Sequence, residues 1–166
     1  MLSFLFRGLT AEPARGAALF DAVTAEARRP SWYVEGRVPD TLDGRFAVLA
    51  TVTALALVRL ERGGEKGNDA SVALSERFIH VMESEHRELG LGDPTLGKTV
   101  RKLVAMLGRR VELWREPNDE LEATRESLYK GEVPEEVLRH SATLIGDLAN
   151  RLAETPLDEL QQGKIG

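Results

Sequence analysis

The sequence predicts an all-α fold, a single compact bundle-like domain of about six helices. Three observations carry this expectation. Aromatic residues make up only 5% of the chain, while Leu, Ala, Glu and Arg are abundant. That mix favours helix over strand, because strands favour β-branched and aromatic side chains. Apolar residues recur at helical spacing over long segments. Clusters of Pro, Gly and Asp separate those segments at helix-length intervals.

The first helix is predicted from Ala11 to Arg28 and stops before Pro30, because the residue preceding a proline avoids the helical region. Ser31 to Gly36 reads as irregular or briefly extended. Asp40, Thr41 and Asp43 offer N-caps for a second helix, from Asp43 to Arg62. Phe46, Leu49, Ala50, Thr53, Leu57 and Leu60 share one of its faces, and Val48, Val52 and Leu55 the opposite one. A helix that is apolar all round is usually central. Gly63 to Asn68 reads as a loop.

The third helix is predicted from Asp69 to Leu89. Leu74, Phe78, Val81 and Leu89 face inward, and Glu76, His80, Glu83 and Arg87 face outward. Gly90 suits the position after its end, Asp93 suits an N-cap, and Pro94 suits the first helical position of the fourth helix. That helix runs to Glu116 and is the most strongly amphipathic stretch. Val100, Leu103, Val104, Leu107, Val111 and Trp114 lie on one side, with Lys98, Arg101, Lys102 and Arg109 on the other. A fifth helix is expected over Glu120–Lys130 and a sixth from Val133-Pro134 to Ala153. Thr155-Pro156 starts one last turn, and Gln161 to Gly166 reads as loose. The sequence divides into an N-terminal segment and first helix (1–30), a helical core (31–154) and a tail (155–166).

Composition excludes several functions. With 166 residues and no cysteine, the chain is long enough for a real core and has no disulfide, thiolate metal site or thiol nucleophile. The longest apolar run, Phe46 to Val58, falls short of the ~20 residues a membrane-spanning helix needs. The apolar start, Met1 to Phe6, has no proper cleavage site and does not read as a signal peptide. It suits either a membrane surface or a terminal segment that packs on the core or frays. The net charge of −5 is uneven. Lys98 to Arg115 holds 6 basic residues against Glu112 alone, whereas the chain from Pro117 onward holds 5 basic and 11 acidic, net −6. The basic face of the fourth helix can meet phosphate on RNA, ribosome or anionic lipid, or an acidic protein, or simply be an ordinary solvated face. No helix-turn-helix spacing or basic–aromatic interleaving points to sequence-specific nucleic-acid reading.

Catalytic motifs are missing. The glycine-containing turns lack phosphate-loop spacing, and there is no G-x-S-x-G. His80, Glu83 and His86 spread over about a third of a helix circumference and form an incomplete metal site without a partner helix. A solvated face is the simpler reading of that trio. Trp32-Tyr33, after two arginines and a proline, suits either a partner-docking patch or packing of the N-terminal segment.

One series of residues does carry a resemblance. Trp32-Tyr33 precedes Pro39-Asp40-Thr41 and Gly44-Arg45-Phe46, which head a long apolar helix. Then come Arg87-Glu88, Gly90, Gly92-Asp93, Gly97-Lys98, and a basic helix with Gly108-Arg109. Over Trp32 to Ala153 the chain resembles the ubiquinol–cytochrome c chaperone family of mitochondria and alphaproteobacteria. It departs from the family at Thr51 and Thr53, where a histidine is frequent, and at Met106-Leu107, where aromatics are frequent. The absence of a transit peptide suits a bacterial member.

The resemblance implies an assembly chaperone and not an enzyme, with no cofactor of its own. The implied client is newly made cytochrome b on its way into the ubiquinol–cytochrome c reductase. The implied place is cytoplasmic, peripheral at the inner face of the cytoplasmic membrane, near the ribosomal tunnel exit. On that reading Arg87, Lys98, Arg101, Lys102 and Arg109 make the electrostatic contact, Trp32 and Tyr33 are partner-binding candidates, and Arg45 and Glu88 are structural. Surplus apolar surface around Phe46 to Leu60 would hold the client. The rival readings are a generic helical adaptor and a metal-dependent enzyme using His80, Glu83 and His86.

Overall fold

Pro30 and Thr41 set the first helix boundaries, and both act locally. The computed structural model describes residues 15–90 and 92–166; the predicted start of the first helix and the apolar Met1 to Phe6 lie outside them. Helix α1 spans Ala17–Ala27 and buries Leu19, Phe20, Val23 and Ala27. A 3₁₀ turn follows over Pro30–Trp32. The carbonyls at the end of α1 have no partner within the helix. The aromatic pair supplies one for two of them: the Trp32 indole N–H donates to the Glu26 carbonyl at 2.9 Å, and the Tyr33 hydroxyl to that of Ala27 at 2.9 Å.

Helix α2, Leu42–Glu61, is capped by Thr41, whose hydroxyl oxygen accepts from the Gly44 N–H at 3.2 Å. It is the central helix, packed against α1 and the four helices introduced next. Its buried hydroxyls Thr51 and Thr53 donate to the Ala47 and Leu49 carbonyls at 2.7 Å. Each buried polar atom is thereby satisfied within its own helix.

Helix α3, Gly64–Glu88, begins five residues earlier than predicted, so the expected loop from Gly63 to Asn68 is mostly helix. Gly64, at φ +68°, turns the chain. Gly67 then lies flat on the Leu60 backbone. Its lack of a side chain serves packing, and the close approach outweighs its poor helix propensity. Helix α4, Asp93–Arg115, is capped by Gly92, with Asp93 at the first helical position and not at the cap. Asp119 accepts from the Leu121 and Glu122 N–H groups and caps α5, Glu120–Leu128. Helix α5 stops two residues short of the predicted Lys130, because Tyr129 turns to extended backbone. Its hydroxyl donates to the Gly36 carbonyl at 2.5 Å and accepts from Ser141 at 2.6 Å. Helix α6, Glu135–Glu154, and the short α7, Leu157–Gln161, complete the bundle, and no strand forms among the described residues.

The tail is packed, contrary to the loose end expected. Ile165 sits against the core, the Gly166 N–H donates to Thr155 Oγ1 at 3.0 Å, and Gly163 abuts Ala18 of α1. Nearby, Arg151 of α6 grips Glu26 of α1 through two bonds of 2.6 and 2.9 Å. The Arg151 bond holds the Glu26 carboxyl below the usual glutamate range, against the opposing push of burial. A carboxylate with a lowered native pKa stabilises the fold fully above its ordinary value near 4.5, and that contribution is lost as pH falls through the native one. Glu26→Gln is therefore expected to cost about 2 kcal/mol at neutral pH. Urea unfolding at a series of pH values should show the two proteins converging on acidification below that range.

Candidate partner-binding surface

The burial of α2 removes one expected feature. From Val48 to Val58 only Leu49 is not fully buried, so its apolar surface is consumed by neighbouring helices and forms no client groove. What remains exposed is its head, where Leu42 is 72% exposed and Phe46 and Leu49 are half-buried.

The basic face survives. Lys98, Arg101, Lys102 and Arg109 all point outward from α4, whose opposite side buries Leu96, Val100, Leu107, Val111 and Trp114. Lys98, Arg101 and Lys102 have no carboxylate within ion-pair distance among the described residues, whereas Arg109 lies 3.9 Å from Glu126. Lys102 also acts at a distance on the head of α2. The Asp43 carboxyl is held below the usual aspartate range, first by its bond from Lys130 and to a lesser degree by Lys102. Arg87 is exposed in the last turn of α3 and belongs to a different helix from the other four.

The aromatic pair divides. Trp32 is 1% exposed and is a core residue with no surface to offer a partner. Tyr33 is half-buried, and burial together with the nearby Asp40 raises its hydroxyl above the ordinary tyrosine value. Arg45 is tied to Asp40 at 2.6 Å in an exposed pair at the head of α2. Glu88 is exposed and makes no hydrogen bond or ion pair among the described residues, so nothing gives it one.

One important residue escaped the sequence reading. Arg110 is buried and donates to the Ser127 carbonyl at 2.7 Å and to that of Met106 at 3.0 Å. It places a positive charge at the C-terminal end of α5, where the helix dipole is negative. Burial, and to a lesser degree the charge of Arg109, lowers its pKa. Its position beside Leu107, Val111 and Trp114 on the apolar stripe was the available signal. The expectation that Leu89 faces inward is also overturned, since it is 64% exposed.

His80, Glu83 and His86 are not brought together. His80 is exposed, and His86 spends its Nδ1–H on the Met82 carbonyl at 2.8 Å. Among the described residues no group of three or more His, Cys, Asp or Glu side chains is placed to hold a metal, and no helix is long and apolar enough to cross a membrane. A cleft of 410 Å³ between the ends of α2 and α4 is lined by Val58 and by Glu61, Arg62, Glu112, Arg115 and Glu116, of which Arg115 bonds Glu61 at 2.7 and 2.9 Å and also Glu112.

Comparison with known proteins gives the arrangement a context. The fold is similar to that in the crystal structure of the Cbp3 homolog from Brucella abortus, with a TM-score of 0.76 and 25% sequence identity over 99% of this chain and 95% of that one. No curated protein matches. The family model described as ubiquinol–cytochrome C chaperone matches residues 34–165. That match takes in both sequence blocks, Pro39 to Phe46 and Arg87 to Asp93, and most of the helical bundle. The chain therefore belongs to the ubiquinol–cytochrome c chaperone family.

Proposed function

We propose that this protein is an assembly chaperone that binds newly made cytochrome b and promotes its incorporation into the ubiquinol–cytochrome c reductase, without catalysing a reaction. The family match over residues 34–165 carries the reading. The build of the molecule agrees with it. Lys98, Arg101 and Lys102 stand on the outer face of α4 with no carboxylate partner among the described residues, and Leu42 leaves an apolar side chain at the surface at the head of α2. Such a protein acts by holding and releasing a client. The reading places it in the cytoplasm, at the inner face of the cytoplasmic membrane and beside the ribosomal tunnel exit, where a membrane protein emerges.

Disruption of the gene is the decisive experiment. Redox difference spectra of membranes should lose most of the cytochrome b signal, with ubiquinol–cytochrome c reductase activity falling in parallel. Re-expression of the intact chain should restore both. Membranes with a normal spectrum and normal activity would overturn the proposal.

A further inference from the structure

The α3–α4 hairpin reaches beyond the head of α2. Gly67 lies on Leu60 and Phe78 on Phe46, so the first residue of α2 is level with the region around Met82 of α3. Helix α3 continues to Glu88, about a turn and a half further, which is roughly 9 Å at 1.5 Å per residue. Beyond Met82 none of its residues is buried, and burial resumes in α4 only at Leu96. Among the described residues, therefore, none between Met82 and Leu96 is buried.

Two features of this projection belong together. Leu89 stands exposed where α3 ends. Behind it Lys98, Arg101 and Lys102, at i, i+3 and i+4, are neighbours on one side of α4. No acidic residue lies on α4 between Asp93 and Glu112 to neutralise them. Elsewhere the exposed Arg15, Arg29, Arg45, Arg115 and Arg139 each have a carboxylate partner, while Arg28, Arg37 and Arg62 have none among the described residues, so what sets this face apart is three unpartnered cations grouped on one side of a helix. The three cations start about 7 Å along α4 from its first residue, so their long side chains and Leu89 can meet one surface at different depths.

We propose that this hairpin docks the protein on an anionic phospholipid surface, with Leu89 entering the boundary between headgroups and acyl chains and Lys98, Arg101 and Lys102 lying among the phosphates. An apolar side chain at the leading end with cations behind it matches the layering of a bilayer surface. RNA fits less well, because no exposed aromatic accompanies the cations to stack on bases. The carboxylates of Glu85, Glu88 and Asp93, also exposed near the turn, oppose the attraction and make binding weak and reversible. The proposal gives a surface to the peripheral position in the functional reading, but its test needs no client.

The purified full chain is floated with phosphatidylglycerol-rich vesicles and with pure phosphatidylcholine vesicles, at low and at physiological salt. Binding is expected on the anionic vesicles only, and weaker at higher salt. A Lys or Arg near an anionic surface contributes about fivefold, so reversing both Arg101 and Lys102 to Glu should weaken binding roughly 25-fold or more. Leu89→Ser should weaken it severalfold at unchanged salt dependence. Lys66→Glu, an exposed reversal at the opposite end of α3, should leave it unaltered. Circular dichroism of each variant checks that the fold is intact. Absence of binding to anionic vesicles at low salt overturns the proposal, as does an equal loss in Lys66→Glu, or binding to ribosomal RNA without binding to vesicles. Failure here leaves the cytochrome b reading standing, and normal cytochrome b spectra in the gene disruption leave vesicle binding standing.

Discussion

Replacing Trp32 with alanine is expected to remove about 4 kcal/mol of stability and to lower the melting temperature by roughly 8–16 °C. Trp32 is among the largest fully buried side chains of the protein. Truncation leaves a void at the foot of α1 that surrounding helices fill only in part, and buried Trp→Ala changes cost about 3–5 kcal/mol. It also strips the Glu26 carbonyl of its 2.9 Å bond from the indole N–H at the end of α1. Trp32→Phe separates the two effects. It keeps most of the volume, loses the hydrogen bond, and should cost about 1–2 kcal/mol. Thermal or urea unfolding of the three proteins provides the check. A near-native midpoint for Trp32→Ala would mean that Trp32 does not hold α1 against the turn that follows it. Because the side chain is internal, any loss of partner binding in that variant should track the unfolded fraction and vanish when folded protein is compared with folded protein.

That result bears on what a sequence can disclose. Trp32-Tyr33 after Arg28-Arg29-Pro30 has the composition of a docking patch and the composition of a folded-back segment. Only the positions of the Glu26 and Ala27 carbonyls decide between them. Helix boundaries were easier, because their causes lie within a few residues: Pro30 ends α1, Thr41 caps α2, Asp119 caps α5 and Pro134 precedes α6. The basic face of α4 was legible for the same reason, being a matter of periodicity within one helix.

What failed depended on distant partners. The apolar circumference of α2 was visible, but periodicity cannot say how many neighbours will cover it, and five helices leave no groove. Leu89 continues the apolar rhythm of α3, yet it lies past the level at which α2 begins and is left exposed among the described residues. Arg110 was legible in part. It falls on the apolar stripe of α4, but its acceptor is the Ser127 carbonyl on another helix. The tail looked loose because glycine and polar residues dominate it, while its anchors, Ala18 and Thr155, are supplied by contacts outside the last six residues.

Glycine shows most clearly why local propensity was not enough, and gives a prediction in which the sign itself is at stake. Helix propensity treats Gly67, Gly108 and Gly146 alike: each sits inside a helix, and alanine should improve each by up to about 1 kcal/mol. At Gly108 and Gly146 a side chain would meet nothing within 4 Å, so Gly108→Ala and Gly146→Ala are expected to raise stability by roughly 0.5–1 kcal/mol each. At Gly67 the added carbon would stand 2.0 Å from the Leu60 carbonyl oxygen, backbone that cannot rotate away. Relief requires α3 to move off α2 by more than an ångström, which loosens the shared core around Leu60 and Leu74. Gly67→Ala is therefore expected to cost about 3 kcal/mol, at the upper end of what overpacking usually costs. Urea unfolding of the three single variants should place two midpoints above the parent and one well below it. A stabilised Gly67→Ala would mean that the residue belongs to a mobile connection and that the α2–α3 contact is not made, whereas the opposite signs at three helical glycines would locate the close helix crossing that sets how far the hairpin projects.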